Sequence, residues 1–503
     1  MAGTMLVEQP RCITQNHINK TNLTRRSTET SAMKSVLSRD DDVSSSSSPS
    51  LSTPDDEADS QRRLAVRGQG NYIYLGDGRE ILDGSGGAAV ACLGHGVKEI
   101  TDAMVAQASA ISYIPWGFMD SQSRRDLSKW ISQYSNGHFT KTWVVSSGSE
   151  AMEGAMKLAR EYFTWIGQPQ RVNYIARDES YHGITLGVLA LGGHVTRRSS
   201  FEPLLVSNIY RIPACNPYRQ RLPGESDEEF VSRKAEELDQ AFLRAGPDSV
   251  VAFVAEPVVG AAAGCLPPVP GYFKAMKAVC NKYGALFILD EVMCGMGRTG
   301  TLFAWEQEGV TPDIQAVGKG LGGGYQPVSA ILASGKITQA METKGAAFTH
   351  GHTYMDHPVT CAVALRVQQI IQRDNLLPNV QAQGQLLEKL LRHKLRNYPN
   401  VGDIRGRGLF WGIELVKDRD TKEPFDPKLQ IARRVHETAL GAPHNLSLYF
   451  GQGCAGQGRG DHIMIMPAYN VTQEVVETIV DKFAAALTDV FGQPEKERKA
   501  EQD

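Results

Sequence analysis

A chain of 503 residues with 41% hydrophobic and 22% charged residues has an ordinary globular make-up and room for about two or three domains. Its 53 Lys and Arg against 56 Asp and Glu leave a net charge of -3, which argues against a nucleic-acid binder built on a basic surface. No segment reaches the roughly 18 apolar residues of a membrane span, and the best run, 249–263, is broken by Glu256 and Pro257.

The stretch 11–30, RCITQNHINKTNLTRRSTET, is Ser/Thr-rich and basic with a single acid, Glu29. It has the composition of a mitochondrial transit peptide but no amphipathic stripe, so a disordered tail on a cytoplasmic protein is the expectation and mitochondrial targeting the alternative. The run 40–63, DDDVSSSSSPSLSTPDDEADSQRR, is polar and of low complexity and extends that tail through residue 63. The eight cysteines are scattered with no C-x-x-C pair, as reduced intracellular thiols would be.

Order is predicted from Asn71–Gly87, where alternating apolar residues around Asp77-Gly78 indicate a hairpin. From about 140 to 334 the pattern is strand, helix, strand. KTWVV (141–145), VNYIA (172–176), SVVAFVAE (249–256) and ALFILDE (285–291) are short apolar strands. EAMEGAMKLAREYF (150–163) has Met152, Ala155, Met156, Ala159 and Phe163 at helical spacing, and a second helix spans 270–284. This order implies a mostly parallel sheet covered by helices. The C-terminal part differs: amphipathic helices over 378–398 and 472–491 flank two short strands in 402–416, which suggests a smaller α+β domain.

Ligands of such sheets bind beyond the carboxyl ends of the strands, so the residues there carry the functional reading. After the first strand, SSGSEA (146–151) opens a helix. Gly148 and Ser149 offer small residues and free N–H groups to an anion, or simply a capped helix end with Glu153 in the first turn. Tyr181 and His182 end another strand, where they either stack on a planar ring or pack a loop. Asp290 closes an apolar run and needs a partner: a protonated ring nitrogen, a salt bridge or a helix end.

Lys319 stands among glycines in AVGKGLGGGY (316–325). It is not a P-loop lysine, because Gly320 rather than Ser or Thr follows it. Nor does GKGLGGG serve as a dinucleotide fingerprint, since no helix with an acidic partner follows cleanly. HGHTYMDH, with His350, His352, Asp356 and His357, matches no standard zinc spacing, and no metal is expected. A phosphate cradle, a stacking aromatic, an aspartate for a pyridinium nitrogen and a lysine are together what pyridoxal 5′-phosphate requires.

The segments FVAEPVVG, VPGYF, LDEVMCGMGRTG and PDIQAVGKGLGGGYQPVSA, in this order, resemble the class III pyridoxal-phosphate-dependent aminotransferases, which include the ω-aminotransferases. The resemblance runs from about Tyr72 to Phe491, and GQGRGDHIMIMPAYN is similar to a fungal-type subgroup. It implies the PLP-dependent transferase fold type I (aspartate-aminotransferase-like), an α/β fold with a large domain built on a mostly parallel sheet and a smaller α+β domain. The implied segments are the tail 1–63, an N-terminal part of the small domain over 64–110, the large cofactor-binding domain over 111–355, an interdomain helix region over 356–390 and the C-terminal small domain over 391–503.

By the same resemblance Lys319 forms the Schiff base and Asp290 pairs with the ring nitrogen. Val292 and Tyr181 face the ring from its two sides, with His182 beside Tyr181. Gly148 and Ser149 hold the phosphate, and Glu256 lies near the ring hydroxyl. Thr353 reaches the phosphate of a neighbouring subunit, which implies a homodimer. Met355-Asp356 stands where many members have a small residue followed by Gly. The glycines around Lys319 are expected to give the backbone room beside the flat ring.

The implied reaction moves an amino group from an amine or amino acid to a 2-oxo acid such as pyruvate or 2-oxoglutarate, with ping-pong kinetics. Arg459 is either a mobile arginine for the substrate carboxylate or a solvated loop residue next to Asp461. Tyr113, Trp116 and Phe118 either line the amine pocket or pack the core. Same-fold alternatives are an aminomutase, a decarboxylase or a non-catalytic relative.

Overall fold

In the computed structural model, residues 63–494 are described. The basic stretch 11–30, Cys12 and the tail expected over 1–63, Arg63 apart, lie outside them. Strands β1 (Ala65–Gln69), β2 (Tyr72–Leu75) and β3 (Glu80–Asp83) form an antiparallel ribbon. The predicted hairpin is β2–β3: Asp77 accepts a hydrogen bond from the Arg79 N–H at 3.0 Å, and Gly78 takes the left-handed φ of 87° that the turn needs.

The central sheet holds β4 (Phe139–Val145), β5 (Asn173–Arg177), β6 (Ile209–Ile212), β7 (Val250–Ala255), β8 (Leu286–Glu291), β9 (Ile314–Gly318) and β10 (Ser329–Ser334). Its spatial order is β4-β10-β9-β8-β7-β5-β6. Every pairing is parallel except the two made by β10. The connection 319–328 is too short for the helical crossover that a parallel return requires, so β10 comes back antiparallel.

Strands β7, β8 and β9 are buried along their whole lengths, which is why they read as unbroken apolar runs. One face of the sheet packs on the helix Gly148–Trp165 through Met152, Ala155, Met156, Ala159 and Phe163, the stripe read from spacing. The other face carries Phe253 and Phe287 against the helices Asp227–Ala245 and Tyr272–Lys282. From Ala252 to Ala255 consecutive residues of β7 alternate between these two clusters, with Val254 in one and Phe253 and Ala255 in the other.

The C-terminal strands are β11 (Val401–Arg407), β12 (Phe410–Leu415), β13 (Leu446–Ser447), β14 (Tyr449–Gln452) and β15 (Asp461–Ile465). Four of them form the antiparallel sheet β11-β12-β15-β14, whose core includes the helices Leu376–Leu395 and Gln473–Phe491. Strand β13 instead pairs parallel with β3, which ties the N-terminal ribbon to the C-terminal region. That pairing supports our proposal that 64–110 and 391–503 form one smaller domain. The seven cysteines of the described residues are free and buried. Among the described residues no helix is long and apolar enough to cross a membrane.

Candidate active site

The carboxyl ends of β4, β5, β7, β8 and β9 deliver Gly148, Ser149, Tyr181, His182, Glu256, Asp290, Val292 and Lys319 to one cavity of about 140 Å³. All eight are residues singled out from the sequence. Gly183, Ala261 and Met293 complete the lining and were not. A wider depression of about 550 Å³, lined in part by Lys277, Trp305 and Glu306, contains none of the predicted residues.

Asp290 is buried at the end of β8. Its Oδ2 lies 2.8 Å from His182 Nδ1, and its Oδ1 accepts the Val292 N–H at 3.0 Å. His182 Nε2 is buried with no hydrogen-bond partner. Glu256 accepts the Tyr181 N–H and the Gly260 N–H, each at 3.1 Å, and burial raises its carboxyl above the usual range. Glu291, next to Asp290 in sequence, serves the fold instead. It accepts the N–H groups of Ala304 and Trp305 at 2.7 and 2.9 Å, and burial pushes its carboxyl up to about 8.

Lys319 opens a single 3₁₀ turn after β9 with a left-handed φ of 44°, a conformation held at a cost in a non-glycine residue. Its amine makes no hydrogen bond or ion pair among the described residues. Burial lowers its pKa, against the opposing pull of Asp290 and Glu256. The glycines around it do not make room for a ring. A Cβ on Gly318 would meet Ser329 Oγ at 2.2 Å, one on Gly320 the Tyr469 hydroxyl at 3.0 Å, and one on Gly322 Val328 Cγ1 at 2.3 Å. They let neighbouring side chains close over the turn that aims Lys319.

The phosphate-type site and the ordinary capped helix coexist. Ser147, not Glu153, makes the cap: its hydroxyl accepts the Glu150 N–H, while Glu150 accepts the N–H groups of Ser146 and Ser147. That leaves the N–H groups of Gly148 and Ser149 without a partner among the described residues. Glu153 instead binds Thr185 Oγ1 at 2.7 Å and the Gly187 N–H at 2.9 Å. The Ser149 hydroxyl accepts the Ile184 N–H at 3.0 Å and so fastens the loop after His182 to the helix end.

Five candidates do not reach the cavity within this chain. Thr353 and Arg459 are exposed and line no part of it. Asp461 is buried and bound by the Ala432 N–H at 3.0 Å, so it is no ion-pair partner of Arg459. Tyr113 packs edge-on against Tyr354, and the Trp116 indole donates to His352 O at 2.9 Å. Phe118 is 92% exposed, so it neither lines the cavity nor packs the core. Asp356 has φ 53° and accepts the Val144 N–H at 2.8 Å, so a left-handed turn that favours glycine is held here by a side-chain tie to β4. Arg197 went unnoticed in the sequence. Its guanidinium lies 4.7 Å from the centre of the Tyr181 ring.

The family model described as aminotransferase class-III matches residues 55–487. The chain belongs to the class III aminotransferases. This aminotransferase is 48% identical over 430 residues to an aminotransferase of Gibberella zeae, covering 85% of this chain and 84% of that one. It is 45% identical over 424 residues to an uncharacterized aminotransferase of Schizosaccharomyces pombe, covering 84% and 92%. An ω-transaminase from Pseudomonas jessenii, solved in complex with PMP, superposes on the aminotransferase with a TM-score of 0.80 and 31% identity over 86% of this chain and 94% of that one. The expected family and the transferase fold type I stand.

Proposed function

We propose that the cavity holds pyridoxal 5′-phosphate and moves an amino group from an amine or amino acid to a 2-oxo acid in two half-reactions. The observation that carries this reading is the unpaired, half-buried amine of Lys319 in the cavity it shares with an Asp290 carboxylate that His182 and Val292 hold at both oxygens. The residues fit the cofactor on three counts. Two unpaired N–H groups at Gly148 and Ser149 suit a phosphate. The orphaned His182 Nε2 is aimed at no protein acceptor. A Cβ on Gly148 would sit 2.7 Å from Val292 Cγ1, so only glycine lets the helix end and the Val292 side chain approach this closely.

When bound, the cofactor supplies an electron sink for the carbanion formed at the substrate carbon. The chain does the rest. Asp290 would hold a positive charge on the ring nitrogen, with His182 and the Val292 N–H keeping its carboxylate oriented. Tyr181 and Val292 would flank the ring, and Glu256, fixed by two backbone N–H groups, would lie near the ring hydroxyl. Lys319 would hold the cofactor through its amine, and the freed amine would move a proton from the substrate carbon. Burial favours this, because it keeps more of the amine unprotonated than water would.

The PMP in the Pseudomonas jessenii structure and the relatives named gamma aminobutyrate transaminase and vanillin aminotransferase support this class of reaction. Thr353 is exposed and lines no part of the cavity within this chain, and we propose that it reaches the phosphate of a second copy in a homodimer. The test is direct. The purified protein is expected to take up pyridoxal phosphate with a visible absorption band that borohydride fixes and Lys319→Ala abolishes. Incubation with an amine donor alone should yield keto product stoichiometric with the site, and turnover only when pyruvate or 2-oxoglutarate is added. No keto product from any donor would favour a same-fold aminomutase or decarboxylase.

A further inference from the structure

The turn 194–198 carries two adjacent arginines, Arg197 lying over the ring of the cavity-lining Tyr181, and the two are used differently. Arg198 is buried and fully engaged: it pairs with Glu202 at 2.9 Å and donates to Ala190 O and Gly192 O at 2.9 and 2.6 Å. Arg211 donates to the same two carbonyl oxygens. Arg197 makes no hydrogen bond and no ion pair among the described residues. Its guanidinium sits over the ring of Tyr181, which lines the cavity. The two acids that line the cavity are already committed, Glu256 to two N–H groups and Asp290 to His182 and Val292.

A stacked guanidinium keeps all five N–H donors in its own plane, clear of the ring it rests on. Stacking therefore orients the fork without using it. A half-buried cation with an unused fork, resting on the Tyr181 ring that lines a cavity proposed to bind amino and oxo acids, lacks a planar anion. Its charge also reaches the cavity: it lowers the pKa of the Lys319 amine.

We propose that Arg197, braced on Tyr181, is the residue that receives the substrate carboxylate, in preference to the exposed Arg459. This rests on the reading of the cavity as a pyridoxal-phosphate site. It also assigns Tyr181 two faces: one toward the ring it stacks on, the other supporting Arg197.

The test is a titration of the holoenzyme with propionate, and with propionamide as the uncharged match, followed by the visible band. Arg197→Gln is expected to weaken propionate binding about 10- to 100-fold, the range for losing hydrogen bonds between charged groups, and to leave propionamide and the band unchanged. Arg197→Lys should recover part of the loss, since it restores charge without the fork. In turnover the same variant should raise KM for the oxo acid and spare an uncharged amine. Propionate binding unchanged in Arg197→Gln overturns the proposal. So does a loss that appears in Arg459→Gln instead, or equal losses for propionate and propionamide. Wild-type protein that takes up no pyridoxal phosphate sinks the underlying reading of the site, and is distinguished from these by the missing band.

Discussion

His182 Nδ1 lies 2.8 Å from Asp290 Oδ2, and both side chains are buried. The two residues come from different strand ends and were named separately in the sequence, but they act as one unit. A buried carboxylate without its partners is costly, so His182 sets where Asp290 points. His182→Phe, which keeps a ring and removes the donor, is expected to weaken pyridoxal phosphate retention by about tenfold or more. Titration of the apoprotein followed by the visible band measures it. Retention equal to wild type would mean that Val292 N–H alone orients Asp290.

Lys319 is strained by its φ of 44° and its amine is depressed by burial. In the apoprotein the folded state therefore binds its proton less readily than the unfolded chain. Stability rises with pH through the window between the depressed value and the ordinary lysine value, and the penalty is full below that window. Apo Lys319→Met removes the charge and keeps the length. It should unfold at a higher temperature than apo wild type at neutral pH, with the gap closing as the pH approaches the ordinary lysine range. Calorimetric melts at several pH values check this, and a gap that grows with pH would contradict the sign.

Gly148 and Val292 meet so closely that a Cβ on the glycine would lie 2.7 Å from Val292 Cγ1. Gly148→Ala is expected to displace Val292 at a cost of about 1–3 kcal/mol, as overpacking does, and to loosen cofactor binding. Adding Val292→Ala removes the atom that clashes. A double-mutant cycle on cofactor affinity should then show the pair coupled by more than about 0.5 kcal/mol, with the double variant better than the sum of the singles.

Much of the site was legible because strand ends converge. Lys319, Asp290, Glu256, Tyr181 and the Gly148–Ser149 pair are far apart in the chain, yet each follows an apolar run, and parallel strands deliver such residues to one edge. The helix 148–165 was legible for a similar reason, since its buried stripe repeats at helical period. What was hidden depends on contacts that leave no spacing. The reversal of β10 follows from the short connection 319–328 and not from any property of SAILAS itself. The glycines beside Lys319 answer to Ser329, Tyr469 and Val328, none of which is marked in their own stretch. Arg197 looks like its neighbour Arg198 in the sequence, and only the three-dimensional contacts separate the spent cation from the free one.

Arg405 links the C-terminal sheet to the site. It is buried on β11, pairs with Glu414 of β12 at 2.6 Å and Asp403 at 2.8 Å, and donates to Ala263 O and Gly264 O at 2.6 and 3.1 Å. Those carbonyls belong to the loop whose Gly260 N–H binds Glu256. Arg405→Leu would leave Glu414 buried with Arg219 as its remaining cation, a loss of about 3 kcal/mol or more for removing one partner of a buried pair. Denaturant unfolding should register that loss, and cofactor retention should fall with it as the 260–264 loop loosens. The double variant Arg405→Leu with Glu414→Leu removes the stranded charge and should recover part of the stability without recovering cofactor retention, because the two loop carbonyls still lack their donor. Recovery of both together would mean that the ion pair, and not the loop, carries the link to Glu256.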